Sequence, residues 1–295
     1  MDAGWAPVER RSVYAVGACG SVAIKGRGGR VDLELEGRAA IVTGGSRGIG
    51  KAIARALALE GVDVAIVARG SDALAAAASE LVEETGRRIV PIPADTGNDE
   101  PVRAMVDRAH EELGRVDILV NNAAAPGGGP VPTLSELGAE HFFSEMNVKV
   151  MGYLRCAQAV APIMQARGWG RIINISGLAA RMSGSIVGSM RNVAVAAMTK
   201  NLADLLGPDG INVTVVHPGG TRTERTIELV ARHAADQGVP ESEIEAQLDG
   251  TNSIRHFLDA SEVAWVVTFL ASPKSIAING DAVSVGGGMG NAIHY

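Results

Sequence analysis

The sequence of 295 residues predicts an α/β fold: a single-domain, doubly wound parallel sheet of seven strands with helices on both faces. Three observations carry that expectation. Short apolar runs alternate with helical stretches of about ten residues or more, the pattern of βαβ units. The runs are apolar throughout, as strands covered on both faces require. A glycine cluster closes the first run and opens the first helix, and the alternation then continues without a linker from Gly37 to Val285.

Ala39–Val42 reads as the first strand, and the Ala- and Leu-rich Lys51–Leu59 as the first helix. Val62–Val67 is the second strand, followed by the Ala-rich helix Ser71–Glu84. Ile89–Ile92 and Val116–Val120 are the next strands, separated by a helix over Asp99–Leu113. A Gly/Pro loop at Ala125–Pro132 leads into one long helix, Ala139–Ala166. Arg171–Ile175 and Ile211–Val216 flank a helix at Val193–Leu206, and helix Glu262–Ala271 precedes the last strand, Ala282–Val285. No repeat at a fixed solenoid period interrupts this order.

Composition narrows the function classes. An apolar fraction of 46% and a charged fraction of 20% are those of a globular protein. A net charge of −6 disfavours binding to a phosphate backbone, and 3% aromatics leave few platforms for base stacking. Two cysteines, Cys19 and Cys156, make neither a disulfide framework nor a four-thiolate zinc site. No H-x-x-x-H or C-x-x-C spacing occurs, so no metal is expected. No apolar run of membrane-spanning length occurs either.

Residues 1–30 are read as a poorly ordered N-terminal extension, rich in Gly and Arg and without periodicity. Arg10-Arg11 precede the apolar run Val13–Ile24 as in an export signal, but Gly17 and Gly20 interrupt it and no small-residue cleavage site follows. The expected location is therefore cytoplasmic. Val31-Asp32-Leu33-Glu34 reads like an alternative natural start.

The strongest motif is Thr43-Gly44-Gly45-Ser46-Arg47-Gly48-Ile49-Gly50. Glycines at 44, 48 and 50 permit a tight turn and close backbone approach to a pyrophosphate, which the free N–H groups of the new helix then face. Further motifs follow in order: Asp95-Thr96 after the third strand, Asn121-Asn122-Ala123-Ala124 after the fourth, Asn147 in Met146-Asn147-Val148, and Pro218-Gly219 with Thr221 and Thr223. Together they resemble the short-chain dehydrogenase/reductase family from about Val31 to Gly288.

The resemblance implies a Rossmann-like cofactor site made of Gly44, Ser46, Arg47, Gly48, Ile49, Gly50, Arg69, Asp95, Thr96, Asn122, Ala123, Pro218, Gly219, Thr221 and Thr223. Asp95 would contact adenine, and the Pro218–Thr223 loop would hold the nicotinamide carboxamide. NAD-preferring folds place an acid about twenty residues beyond the glycines. Here the second strand ends Val67-Ala68-Arg69, and Arg47 lies within the turn. Two guanidiniums suit a 2′-phosphate, so NADP(H) is favoured, with NAD(H) the alternative.

The family's chemistry uses a Ser, a Tyr and a Lys, with an Asn in support. A neighbouring ammonium lowers the tyrosine pKa toward working pH. Ser176 and Asn147 are the candidates for two of these roles, with Ser176 uncertain in register by one residue because Gly177 follows. The other two are missing: Gly188 stands at the Tyr position and Asn192 at the Lys position. The only tyrosines are Tyr14, Tyr153 and Tyr295. Substitute proton donors are sought among Ser176, Ser189, Arg191 and His217. Gly286-Gly287-Gly288 also departs from the family, which commonly carries Asp there.

Residues 223–259 are read as a substrate lid. Arg222, Arg225, Arg232, Arg255, His233 and His256 enrich this region in cations, offset by Glu224, Glu228, Glu241, Glu243 and Glu245. That balance gives no more than a hint of an acidic or acyl substrate. The leading expectation is an NADP(H)-dependent oxidoreductase acting on a carbonyl or alcohol through a proton donor other than the usual tyrosine. The alternative is a noncatalytic NADP(H)-binding sensor or scaffold subunit. A small-molecule substrate is expected, with neither nucleic acid nor membrane as partner. The resemblance further implies a homotetramer or dimer through the helices after the fourth and fifth strands.

Overall fold

A computed structural model describes residues 31–124 and 131–290. The N-terminal extension and most of the Gly/Pro loop lie outside the described residues. Seven strands form one parallel sheet: β1 (Ala39–Thr43), β2 (Asp63–Ala68), β3 (Ile89–Pro93), β4 (Ile118–Asn121), β5 (Gly170–Ile175), β6 (Ile211–Pro218) and, last in the chain, β9 (Ala282–Val285). Their order is β3-β2-β1-β4-β5-β6-β9, so the direction of winding reverses between β1 and β4. Two short strands, β7 (Thr221–Arg222) and β8 (Leu258–Asp259), pair separately.

Side chains alternate across the sheet and bury a separate core on each face. Ala40, Val42, Val64 and Ile66 pack against helices α1 (Gly48–Leu59), α2 (Ser71–Thr85) and α9 (Ala260–Ala271). Ile41, Ala65, Val67 and Leu119 pack on the other side against α3 (Asp99–Leu113), α5 (Gly152–Gln165) and α6 (Ile186–Leu206). Two helices, α7 (Glu224–Gln237) and α8 (Glu241–Asp249), make up most of residues 223–259, with Val230, Ala234 and Ile244 buried between them.

Several boundaries differ from the expected ones, three of them as follows. β4 begins at Ile118, because Val116 and Asp117 precede the ladder and the Asp117 carboxylate accepts the Ala39 N–H at 2.9 Å. α6 begins at Ile186, since the Ser185 hydroxyl caps it by accepting the Gly188 N–H at 3.0 Å. The single long helix predicted over 139–166 is three pieces: α4 (Ala139–Met146), a π-helical stretch at Asn147–Met151, and α5. The π stretch redirects the side chains that follow it.

Candidate active site

The reversal point of the sheet is held by one asparagine. The Asn122 side chain donates to the carbonyls of Thr43 at 3.0 Å and Gly44 at 3.2 Å. The Thr43 hydroxyl accepts the N–H groups of Asn122 and Ala123 at 2.9 and 3.0 Å. Gly44 has φ +67°, and a Cβ there would sit 2.7 Å from Asn122 Nδ2. A Cβ on Gly50 would lie 2.2 Å from the Gly44 carbonyl oxygen, so helix and turn approach too closely for any side chain. Asn122 and Ala123, expected to bind cofactor, thus also brace the turn.

Gly48 has a different reason to be glycine. Its φ is +56°, and a Cβ there would meet Thr223 at 3.4 Å. Its N–H donates to the Glu224 carboxylate at 2.9 Å. A carboxylate on this N–H shows that the turn offers an anion its backbone donor, as a dinucleotide cradle requires. Ser46 and Ile49 are partly buried in the same turn, and Arg47 and Arg69 are exposed. Neither arginine forms an ion pair among the described residues. Gly45 N–H donates to Val67 O at 3.1 Å, and the two arginines each lie two residues beyond that bond.

The outer strands complete a rim. The Asp95 carboxylate accepts the Gly97 N–H at 3.0 Å, and Thr96 is buried beside Gly152. Pro218 ends β6, Gly219 N–H donates to Val285 O at 2.8 Å, and a Cβ on Gly219 would lie 2.9 Å from the Gly286 Cα. Thr221 is buried and its hydroxyl donates to the Gly219 carbonyl at 3.0 Å. Thr223 caps α7 and touches the Cβ position of Gly48, so the loop after β6 meets the glycine turn.

The candidate catalytic residues assemble only in part. Ser176 lies just past β5 and is 8% exposed; its hydroxyl donates to the Asn192 carbonyl at 3.1 Å. Asn192 is buried, with Oδ1 lacking a hydrogen-bond partner, and its Nδ2 lies 3.3 Å from the Cβ position of Gly177. Position 177 therefore faces Asn192, whereas the Ser176 hydroxyl is turned to backbone. Gly188 faces Ser185, whose Oγ would be 2.7 Å from an added Cβ. Asn147, read as the supporting asparagine, donates to the Gly97 carbonyl at 3.0 Å, on the β3 side. Lys149, within the π-helical stretch, is the side chain of this segment that reaches Ser176.

Lys149 was not singled out from the sequence. It is 5% exposed, and its ammonium donates to the Ser176 carbonyl at 2.8 Å. Burial lowers its pKa to about 8. A lone lysine in Asn147-Val148-Lys149-Val150 carries no sequence signal, and only the packing reveals it.

Among the other candidate donors, Ser189 donates to the Met182 carbonyl at 3.0 Å, Arg191 pairs with Glu145, and His217 is 1% exposed within β6. Tyr153 is fully occupied elsewhere: its hydroxyl donates to the Ile175 carbonyl at 2.9 Å, and burial drives its pKa far above the ordinary tyrosine value. Arg222 is bound by Glu245 at 2.5 Å and by Asp259 at 3.4 Å, which removes it from the cations free for a substrate. His256, Asp259 and Glu262 cluster at the start of α9, where Asp259 and Glu262 form its capping box.

Comparison with known proteins agrees with this architecture. The family model described as short chain dehydrogenase matches residues 38–234. An uncharacterized oxidoreductase from Methylorubrum extorquens is 35% identical over 258 residues, covering 87% of this chain and 99% of its own. L-sorbose reductase from Gluconobacter frateurii, solved with NADPH and L-sorbose, is 32% identical with a TM-score of 0.83 over 88% of this chain and 98% of its own. A 7α-hydroxysteroid dehydrogenase solved with NADH and 7-oxo glycochenodeoxycholic acid is 30% identical with a TM-score of 0.76, over 88% and 96%. No helix among the described residues is long and apolar enough to cross a membrane.

Proposed function

The chain belongs to the short-chain dehydrogenase family, and on that premise we propose that it is an NADP(H)-dependent oxidoreductase acting on a carbonyl or alcohol. Its proton donor is a group other than a tyrosine at position 188. The observation that carries this reading is the Gly48 N–H, held outward by a positive φ and already engaged with a carboxylate. Arg47 and Arg69, exposed beside it and free of ion pairs among the described residues, favour NADP(H) over NAD(H). The NADPH bound in L-sorbose reductase supports the same choice.

Gly48, Arg47 and Arg69 would hold the phosphates, Asp95 the adenine edge, and the Pro218–Thr223 loop the nicotinamide end. A bound reduced nicotinamide supplies hydride to a carbonyl carbon. The residues of this chain must then orient the carbonyl, exclude water and give its oxygen a proton. A cytoplasmic location and a homo-oligomer joined through α5 and α6 belong to the same reading.

The test is NADPH oxidation over a panel of ketones and aldehydes, run beside NADPH binding by fluorescence. Turnover with at least one carbonyl supports the oxidoreductase. Tight NADPH binding with no turnover across the panel, and none in the reverse direction with alcohols, shifts the reading to a noncatalytic sensor or scaffold subunit.

A further inference from the structure

We propose that Lys149 is the proton donor of this site, taking over from the opposite helix the cationic role that Asn192 cannot fill. The inference rests on the oxidoreductase reading above. The resemblance places an ammonium at position 192, on α6, and a neutral amide on the helix before β5. This chain has an amide at 192 and an ammonium at 149, and both converge on one peptide. The Lys149 ammonium donates to the Ser176 carbonyl at 2.8 Å, and the Asn192 amide lies 3.3 Å from the Cβ position of Gly177. The Ser176–Gly177 peptide is thus flanked by an ammonium from the π-helical stretch and an amide from α6.

Buried lysines are rare unless paired. Among the described residues Lys149 forms no ion pair with a carboxylate. Of the titratable side chains on the elements packed around it, Glu145 pairs with Arg191, Arg155 with Asp99 and Lys200 with Asp204, Tyr153 donates to the Ile175 carbonyl, and Cys156 is a buried free thiol. Burial alone lowers the Lys149 pKa, to about 8, within reach of a proton donor working near neutrality. The glycines at 177 and 188 leave no side-chain hydroxyl at either position to perform the transfer.

The step balances as follows. In reduction, hydride from the reduced nicotinamide forms the new C–H bond and the C=O π pair moves to oxygen. That oxygen takes a proton from the Lys149 ammonium, leaving a neutral amine that is reprotonated by water. In alcohol oxidation the neutral amine takes the hydroxyl proton as hydride leaves.

The experiment combines two readouts on the full-length protein. The chain has five lysines, at 25, 51, 149, 200 and 274. ¹³C-labelled lysine therefore gives five side-chain signals, assigned by replacing the other four singly (Lys25→Arg, Lys51→Arg, Lys200→Arg, Lys274→Arg), which leaves Lys149 untouched. The Lys149 signal should titrate near pH 8 and move when NADPH is added. Lys149→Met should lose about 100-fold or more in kcat while its NADPH Kd stays within about threefold. Reduction by the wild type should fall as pH rises through the Lys149 midpoint. A Lys149 signal that titrates in the ordinary lysine range overturns the proposal without needing any Lys149 variant. A folded Lys149→Met with near wild-type kcat also overturns it and leaves the oxidoreductase reading standing. A wild type that binds NADPH but reduces no carbonyl removes both.

Discussion

Gly48 donates its backbone N–H to the carboxylate of Glu224 at 2.9 Å, joining the first glycine turn to the first residue of α7 across 176 positions. The contact sets two anions in competition. A phosphate seeking the start of α1 meets a carboxylate on the same N–H, and an anion at a helix N-terminus is worth about 0.3–1 kcal/mol. Glu224→Gln should therefore tighten NADPH binding about two- to fivefold, more at low salt than at high salt. Fluorescence titration at two ionic strengths checks this. Unchanged or weaker binding would mean that the carboxylate does not compete.

The cofactor choice turns on Arg47 and Arg69. Each lies two residues past the Gly45–Val67 hydrogen bond, which brings both to the same end of neighbouring strands β1 and β2. A charge-assisted bond to a phosphate is worth about 1.5–3 kcal/mol. Arg47→Ala combined with Arg69→Asp should weaken NADPH binding by about 100-fold and leave NADH within about threefold. Equal losses for the two nucleotides would remove the assignment.

These two cases also mark how far a sequence reaches. Gly44, Gly48 and Gly50 are legible because a strand–turn–helix junction that admits no side chain has one solution, and the seven strands are legible because runs covered on both faces are apolar throughout. Asn147 is different. Reading 139–166 as one helix assumes an unbroken period of 3.6 residues, and a π-helical turn takes in one residue more, rotating the side chains after it by about 100°. Asn147, bonded to Gly97, and Lys149, bonded to Ser176, lie within that wider turn. No local pattern announces it, because Asn-Val-Lys-Val-Met fits either helix. The Gly48–Glu224 contact is equally silent, since it depends on where the loop after β6 lands.

The opposite end of the strands should behave as structure alone. Asp117 is 1% exposed; its carboxylate accepts from Ala39 N–H at 2.9 Å and from Arg115 at 2.5 and 2.8 Å. It ties the start of β1 to the segment that enters β4. Asp117→Asn keeps the shape but loses the charge, and should cost about 1–3 kcal/mol. Chemical denaturation should show a lower midpoint, while NADPH Kd stays unchanged. A loss of NADPH affinity with no loss of stability would contradict this division of the sheet.

Lys149 also makes stability depend on pH with a definite sign. Its folded pKa of about 8 lies below the unfolded lysine value, so between those values the unfolded chain binds more protons and stability rises with pH. Below pH 8 the buried ammonium carries its full penalty, on the order of 3 kcal/mol for a shift of this size. Lys149→Met should therefore be the more stable protein at pH 7, and its advantage should shrink as pH rises toward the unfolded lysine value. Urea unfolding of both proteins across that window measures it. A gap that is constant with pH would mean that Lys149 titrates alike in both states.

The convergence of Lys149 and Asn192 on the Ser176–Gly177 peptide predicts a coupling. Asn192→Lys alone sets a second ammonium against the Ser176–Gly177 peptide, where Lys149 already sits and no carboxylate pairs with it among the described residues. Two unpaired buried cations at one site oppose each other, so the single variant should be strongly destabilised. Lys149→Asn alone removes a buried charge and should be tolerated. The double variant Lys149→Asn/Asn192→Lys holds one ammonium again, now on α6, and should recover most of the stability lost in Asn192→Lys. Contacting residues couple by about 0.5–3 kcal/mol, well within the reach of a double-mutant cycle. If the two effects simply add, the residues do not share a site. Adding Gly188→Tyr to the double variant then puts a phenol at 188, at the loss of the Ser185 cap on Gly188, about 1 kcal/mol. Carbonyl reduction by that triple variant, with a pH profile displaced from that of the wild type, would show that one pocket accepts its proton from either helix.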